Sequence, residues 1–297
     1  MNDLARPTAG RAFTALVLAG SRPGKPDRLA EACGMAHKCL IPAGGVPMLV
    51  RVVRALTASH DIERIFLSLE DPNLPGTLPA LQPDLESGRV IALPSDATPS
   101  LSVLRFLDGG HGSLPLLVTT ADHPLLSSGI VKRFCDAARA SGADVAGAMT
   151  PASVLLASYP EAQRTFIRFR DDRYSGANLF AVLMPEGRRA VEFWRKVEQE
   201  RKRPWRLVGA FGLWPLTLYL CGRLSLDDAM ERASAVMGAR VAAVRLPIAE
   251  AAIDVDKPAD LELVEAILAR RAAPSDASEP RVEPRPERLH VPARPSL

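Results

Sequence analysis

The sequence predicts an α/β protein, a three-layer sandwich built on a mostly parallel, mixed sheet. Apolar runs of strand length alternate with amphipathic helical patterns, and polar motifs directly follow several of the apolar runs. Hydrophobic residues make up 47% of the 297 residues, which supports a large core. The predicted strands are 13–18, 64–69, 89–93, 114–119, 144–149, 178–183 and 240–246; the predicted helices are 46–58, 101–108, 127–140, 187–202, 216–222, 226–236 and 258–270.

The composition limits which binding partners and which cellular compartment we expect. The formal net charge is only +3, so nucleic acid is not an expected partner. The four cysteines form no C-x-x-C pair, which argues against a zinc site and is typical of a reduced cytoplasmic protein. No signal-peptide pattern is visible. The apolar stretch 207–222 is interrupted by Pro215 and is too short for a spanning helix, but it leaves a peripheral membrane contact open.

The chain divides into one domain and a tail. Residues 1–272 carry the alternating pattern and form the predicted domain, with an insertion at roughly 150–225. Residues 273–297 contain six prolines and little apolar surface, so we expect a disordered tail.

The first motif is a small-residue, basic loop after the predicted strand 13–18. Gly20, Ser21 and further Gly and Pro residues end the strand, and the loop that follows carries Arg22, Lys25 and Arg28. Small residues let backbone N–H groups approach phosphate oxygens, and basic side chains neutralise them. The pattern favours a polyphosphate site, with an ordinary surface turn as the alternative.

The spacing after this loop gives the motif its specificity. Lys38 begins the run Lys38-x-Leu-Ile-Pro-x-x-Gly-x-Pro-Met-Leu, ten residues after Arg28. This run resembles the signature of the GT-A-like nucleotidyltransferases, in particular the MobA-like NTP transferases. The resemblance implies a Rossmann-like fold and catalytic roles for Arg28 and Lys38, which would grip the phosphates of a nucleoside triphosphate. Ser21 and His37 depart from the family pattern, which usually has glycine and proline there.

The second motif follows the predicted strand 114–119. Asp122 stands at the end of that strand, where α/β sheets place ligands, and Pro124 then forces a turn. The element resembles the family's D-x-P motif, which implies that Asp122 binds the nucleotide's Mg²⁺. The alternative is a helix cap, a role for which Ser127 is better placed. We expect His123 to pack, because a neutral imidazole is a poor ligand for Mg²⁺.

The third motif, 252–261, resembles the family's [DN]-[VI]-D-T-P-x-D-L sequence. The resemblance implies that Asp254 completes the metal site. Asp256 is expected to stabilise the start of the last helix instead. A generic acidic helix start is the alternative.

Nucleotide and acceptor contacts complete the prediction. By position in the family pattern, the nucleotide would contact Asp122 and residues around the first loop and in segment 94–102, namely Leu18, Ala19, Gly20, Ser21, Thr98 and Ser100. A plain capped helix start is the alternative for 98–100. Segment 164–180 is predicted to form two short strands joined by a turn at 171–172. The acceptor would contact that hairpin and the basic segment after it, at Arg168, Ser175, Gly176, Asn178, Lys202 and Arg203.

Together these motifs predict a Mg²⁺-dependent nucleotidyltransferase. It would transfer a nucleoside monophosphate, from CTP by preference, to a phosphorylated polyol or sugar and release pyrophosphate. Nucleotide transfer to a molybdenum cofactor, a GT-A glycosyltransferase and a non-catalytic nucleotide-binding domain are the alternatives. A glycosyltransferase usually carries D-x-D at its metal, whereas position 124 is proline. The base, the acceptor and the oligomeric state stay open.

Overall fold

The computed structural model describes residues 10–20, 27–110, 114–200 and 213–272, which form a sheet with helices on both faces. The strands are β1 (Phe13–Leu18), β2 (Pro42–Ala43), β3 (Val46–Pro47), β4 (Ile62–Leu69), β5 (Val90–Pro94), β6 (Leu116–Thr120), β7 (Val145–Pro151), β8 (Ile167–Arg168), β9 (Arg173–Val182) and β10 (Val241–Arg245). The helices are α1 (Arg28–Ala32), α2 (Met48–Thr57), α3 (Gln82–Glu86), α4 (Pro99–Asp108), α5 (Ser128–Ser141), α6 (Ala152–Ser158), α7 (Arg188–Gln199), α8 (Leu213–Leu220), α9 (Leu226–Met237) and α10 (Pro258–Ala272).

The main sheet is mixed, as predicted. Its order is β10-β7-β9-β6-β1-β4-β5, and β8 pairs with β9 alongside this path. The pairs β1–β4, β1–β6, β4–β5 and β7–β10 are parallel, whereas β9 is antiparallel to both β6 and β7. All strands of the main sheet except β9 therefore end at the same edge of the sheet, which we call the carboxyl edge. Ligands of open α/β sheets bind at such an edge.

The sheet is buried on both faces, which explains its continuous apolar runs. In β1, Ala15 and Val17 pack with α2 and α5, whereas Leu16 packs on the opposite face with α4 and α7. Alternate residues of one strand thus enter two different cores.

The predicted elements agree closely with the structure where they are long. Strand 13–18 and the α-helices near 48–57, 128–141 and 258–272 lie within a few residues of their predicted bounds. The hairpin formed by β8 and β9 is also confirmed, although β9 begins at Arg173 and not at 178. Helices α1, α3 and α6 were not predicted, because five to seven residues are too few for a periodic pattern.

Parts of the prediction lie outside the described residues. These are the tail 273–297, the site residues Ser21, Lys202 and Arg203, the basic loop residues Arg22 and Lys25, and part of the apolar stretch 207–222. Within the described ranges, none of the helices has the length and apolar character needed to cross a membrane.

Candidate functional site

The end of β1 meets the end of β5 at the carboxyl edge. The backbone N–H of Ala19 donates to the carbonyl of Ser68, 2.9 Å away, which continues the β1–β4 pairing past Leu18. Gly20 then passes so close to Ser95 that a β-carbon at Gly20 would lie 2.7 Å from the Ser95 Oγ and 2.9 Å from its Cβ. The first loop and segment 94–102 are therefore neighbours, as the nucleotide prediction requires.

Lys38 is a cation that contacts both the second and the third motif. It opens a single 3₁₀ turn, Lys38–Leu40, and its Nζ donates to Asp122 Oδ2 at 2.6 Å and to Asp256 Oδ1 at 2.7 Å. Burial alone would lower the pKa of Lys38, but the charges of Asp122 and Asp256 and the hydrogen bonds to them outweigh burial and raise it. The ammonium group therefore stays protonated and joins the second motif to the third.

Asp122 follows β6 at the carboxyl edge, as predicted. Its carbonyl accepts a hydrogen bond from the Val255 N–H at 2.9 Å, so the backbones of the second and third motifs are directly linked. One carboxylate oxygen, Oδ2, receives Lys38. The other, Oδ1, is buried and has no hydrogen-bond partner among the described residues. A buried carboxylate oxygen without a partner is costly in a resting protein and is typical of a ligand-binding position.

Asp254 lies beside Asp122 in the linked motif, but its contacts face the hairpin. Arg164 donates to Asp254 Oδ1 and, at 3.1 Å, to the Asp254 carbonyl, while the Asn178 amide donates to Oδ2. Asp254 and Arg164 are both largely buried, with side chains 14% and 12% exposed. The carboxylate predicted to hold a metal is thus also the contact between the third motif and the predicted acceptor side.

A bulge in β9 brings Asn178 to Asp254. Gly147 of β7 pairs with Phe180, but Met149 pairs with Gly176, so β9 carries two extra residues at this point. Asn178 lies in the bulge with a φ of 47°, a left-handed conformation that asparagine tolerates better than most residues. Bulges often redirect a side chain next to a functional site.

The prediction for Asp256 was wrong. Its carboxylate binds Lys38 and does not stabilise the start of α10. Asp260 does so, because its Oδ2 accepts hydrogen bonds from the N–H groups of Asp256 and Lys257, both at 3.1 Å. An acid in the first helical turn can reach back to the N–H groups that precede the helix, whereas Asp256 stands before the turn and is free to face Lys38.

An apolar cluster beneath the site gathers all the motifs. Each motif contributes a buried residue next to its polar one, and these are Leu29, Ile41, Leu125, Ile253 and Val255. The neighbours of Arg28, Lys38, Asp122 and Asp254 therefore share a single core.

His123 packs inside the protein, as expected. Its side chain is buried, its Nε2 lies 3.3 Å from the carbonyl oxygen of Glu250, and burial lowers its pKa to about 4. The contact gives the second motif a further link to the segment that leads into the third.

The hydroxyls of segment 94–102 serve the start of α4. Thr98 caps the helix by accepting from the Leu101 N–H at 3.3 Å, and Ser100 is fully buried and donates to Glu198. This arrangement favours the capped-helix alternative for both residues. A base contact from either stays a prediction.

The remaining predicted residues are dispersed. Arg28 is exposed at the first residue of α1, and Arg168 is exposed at the end of β8. On β9, Ser175 is buried and Gly176 is exposed. The structure thus brings together Lys38, Asp122, Asp254 and Asn178 by direct contacts or contacts through the backbone. Among the described residues, neither Arg28 nor Arg168 makes a hydrogen bond or ion pair with these four.

Sequence reasoning missed two residues of the contact network. Arg164 was not singled out, because an arginine before a short strand carries no local pattern and its partner lies 90 residues away. Asp256 was given another role although it belongs to a recognised motif. The contact of Asp256 with Lys38 could have been suggested by the opposite charges of the two side chains in motifs that were both recognised.

The donor set fits a magnesium ion in part. The carboxylates Asp122, Asp254, Asp256 and Asp260 lie close together, and the basic side chains of Lys38 and Arg164 contact them. We call these four acids the carboxylate cluster. Magnesium takes one or two carboxylates together with phosphate oxygens and water, and the unpartnered Asp122 Oδ1 offers one such ligand. In the part of the chain that the structure describes, no group of three or more His, Cys, Asp or Glu side chains is arranged to hold a metal ion by itself.

Comparisons with known proteins agree with the fold and the motifs. A hypothetical transferase from Thermus thermophilus superposes with a TM-score of 0.70 at 30% identity, over 84% of this chain and 99% of its own. A 4-diphosphocytidyl-2C-methyl-D-erythritol synthase from Anaerococcus prevotii shares the fold at a TM-score of 0.55 and 14% identity, over 89% of this chain and 98% of its own.

A CMP:2-keto-3-deoxy-manno-octonic acid synthetase complexed with CTP also shares the fold, with a TM-score of 0.52 at 14% identity, over 88% of this chain and 99% of its own. No curated protein matches the chain. The MobA-like NTP transferase domain matches residues 15–210, which include the first two motifs and most of the sheet. The chain therefore belongs to the MobA-like NTP transferase family and is a nucleotidyltransferase.

Proposed function

We propose that this nucleotidyltransferase uses Mg²⁺ to transfer a nucleoside monophosphate, from CTP by preference, to a phosphorylated polyol or sugar, with release of pyrophosphate. The observation that carries the proposal is the placement of Lys38 between Asp122 and Asp256 at the carboxyl edge. A protonated lysine held by two acids at this edge is a cation already positioned where phosphates would enter.

Charge balance supports a divalent cation. The carboxylate cluster places four acids together at the carboxyl edge, and a divalent cation would offset their repulsion of the nucleotide phosphates. Magnesium would be held by Asp122 and Asp254, and when bound it would neutralise charge on the nucleotide phosphates. Asp254 keeps lone pairs for this role, because each of its oxygens accepts a single hydrogen bond in the described contacts.

The transfer needs positioning more than covalent help. An oxygen of the acceptor phosphate forms a bond to the α-phosphorus, the bond from that phosphorus to the bridging oxygen breaks, and pyrophosphate leaves with the electron pair. Lys38 would stabilise the charge on the α-phosphate, and Arg28 would bind the departing pyrophosphate from α1. Preorganised charges of this kind supply most of the catalysis in such reactions.

The acceptor would bind against the β8–β9 hairpin. Asn178 contacts Asp254, and Arg168 is exposed on the same hairpin, so a phosphate beside Arg168 would lie on the side of the sheet edge that faces the third motif. The hairpin offers the exposed Arg168 guanidinium to an anionic acceptor.

The choice of CTP rests on the two more distant structures. One is a diphosphocytidyl synthase by name, and the other was solved with CTP. Nucleotide transfer to a molybdenum cofactor is the second candidate, because the matched family is named for MobA. It would use a different acceptor, so a panel of acceptors separates the two.

The test is pyrophosphate release from ATP, CTP, GTP and UTP, each with Mg²⁺ and a panel of polyol phosphates, sugar phosphates and a molybdenum cofactor precursor. Release with CTP and a polyol or sugar phosphate supports the proposal. Release with the molybdenum cofactor precursor alone would support the second candidate. Binding of nucleotides without release from any pair would contradict both and favour a sensing domain.

The variant Asp122→Asn should lower turnover by about 100-fold or more, because it removes a charge that acts on the transferred phosphates while keeping the shape of the side chain. Thermal unfolding checks that the variant is folded. Asp136→Asn is the matched control, because Asp136 is exposed and pairs only with α5 residues in the described contacts. Turnover of Asp122→Asn within tenfold of the parent protein would remove Asp122 from the reaction.

A further inference from the structure

Arg164 links the acceptor side of the site to the third motif. It lies between α6 and β8, and its side chain is only 12% exposed. The guanidinium group donates to the carboxylate and to the carbonyl of Asp254, and it lies 3.9 Å from Asp260 Oδ1. A planar guanidinium group that donates to both the carboxylate and the carbonyl of one residue fixes the orientation of that residue as well as its distance.

The two acids that Arg164 contacts hold the ends of one turn. Asp254 begins the turn, and Asp260 closes it by accepting from the Asp256 and Lys257 N–H groups. Between them, the Val255 N–H donates to Asp122. The backbone on both sides of Asp256 is therefore held at defined points.

Asp256 lies between these held points. Its side chain is 66% exposed, and its carboxylate reaches Lys38 at 2.7 Å. An exposed ion pair is weak when its geometry is not imposed, because both side chains lose conformational freedom in forming it. The fixed turn supplies that geometry.

We propose that Arg164 is a positioning residue: through Asp254 and Asp260 it fixes the turn that presents Asp256 to Lys38, and so sets where the Lys38 ammonium group lies before the nucleotide binds. The catalytic meaning of this placement rests on the proposed nucleotidyl transfer. The geometric coupling from Arg164 to Lys38 does not, and it can be measured in the free protein.

The experiment follows the side chain of Lys38 by NMR. The chain has six lysines, so carbon-13 labelling of lysine alone gives few side-chain signals. The signal that disappears in the Lys38→Arg variant, labelled in the same way, is that of Lys38. Asp256→Asn gives the position of that signal when the charge of Asp256 is removed. We expect Arg164→Met to move the Lys38 signal toward that position and to lower turnover by at least tenfold.

Arg139→Met is the matched control. Arg139 is also a largely buried arginine in an ion pair, 2.7 Å from Asp61, but it packs over Phe13 at the opposite edge of the sheet. It should lower stability without moving the Lys38 signal. If Arg164→Met does not fold, Arg164→Lys keeps the charge but loses the fork, and it should give a smaller shift in the same direction.

The inference is overturned if the Lys38 signal of a folded Arg164 variant coincides with that of the parent protein, or if Arg139→Met moves the signal equally. It is also overturned if Asp256→Asn leaves the signal in place, because the contact would then be absent in solution. A shift in the Arg164 variants from a parent protein that releases no pyrophosphate would support the positioning role and contradict the proposed function. Pyrophosphate release by the parent protein, together with an unchanged Lys38 signal in the Arg164 variants, would support the proposed function and contradict the positioning role.

Discussion

Close approach between two residues decides the geometry of the first loop. Gly20 is exposed and needs no left-handed φ, so its local conformation would accept a side chain. The obstacle is Ser95, whose Cβ is fixed to the backbone and would lie 2.9 Å from a new β-carbon at position 20. The requirement for glycine here thus comes from a neighbour 75 residues away and not from the turn itself.

Gly20→Ala should therefore destabilise the protein by about 1–3 kcal/mol, because the two loops must separate to admit a methyl group. The measurement is the free energy of unfolding in urea. Ser95→Gly removes the opposing side chain, so the double variant should regain most of the loss. Gly76→Ala is the control, because nothing lies within 4 Å of a β-carbon there; equal losses at positions 20 and 76 would rule out the contact as the cause.

At the scale of elements, the bulge in β9 is the feature that builds the site. A regular β9 would continue its alternation past Phe180 and would not turn Asn178 into the left-handed conformation. The bulge costs ladder hydrogen bonds, and in return it places an amide on Asp254.

Two substitutions separate the backbone role of Asn178 from its amide. Asn178→Gly removes the amide but tolerates a φ of 47°, whereas Asn178→Ala removes the amide and adds left-handed strain. We expect the alanine variant to be less stable than the glycine variant by about 1 kcal/mol, and both to lose turnover similarly, by about tenfold. The measurements are unfolding in urea and pyrophosphate release. An alanine variant as stable as the glycine variant would show that the left-handed conformation is not needed.

Long elements could be predicted from the sequence, and the reasons are local. β1 and α5 carry complete apolar patterns with clear ends, so both were predicted to within two residues. Lys38 and Asp122 follow such patterns in recognisable motifs, which is why both were found. Asn178 was predicted from its place in the hairpin, but the bulge around it could not be predicted. Two extra residues in a strand become visible only when its register with the partner strand is known.

Residues that act across the chain were the ones missed. Arg164 meets Asp254, and no feature of the sequence near either residue indicates the other. Asp256 and Asp260 stand four residues apart in one motif, and the choice between binding Lys38 and capping α10 depends on the direction in which the turn leaves the apolar cluster beneath it. Tertiary packing, and not local propensity, sets that direction.

At the scale of the whole molecule, the site depends on how firmly the second and third motifs are joined. His123 belongs to that junction: it is fully buried, it contacts the Glu250 carbonyl, and Asp122 and Arg164 are the charged groups that act on it. Burial is the main cause of its lowered pKa, the contact with Glu250 and the charge of Asp122 oppose the lowering, and Arg164 adds to it. Protonation of this histidine therefore opposes the folded state of the entire domain.

The stability of the protein should consequently fall as the pH is lowered from about 6.5 to about 4, because His123 binds a proton in the unfolded chain through this range but not in the folded one. The stability that neutral His123 contributes is fully present above about pH 6.5, the pKa of histidine in the unfolded chain. The difference between that pKa and about 4 in the folded protein corresponds to about 3 kcal/mol, which is lost by the acid end of the range.

Carboxylates also titrate at low pH, so the quantity to compare is the difference between the parent protein and His123→Gln in urea unfolding at several pH values. The variant should lose stability less steeply, whereas His60→Gln, at an exposed position, should follow the parent. Parallel curves for the parent and His123→Gln would mean that the folded and unfolded chains bind this proton equally well, so that burial of His123 between the two motifs would not contribute to the pH dependence.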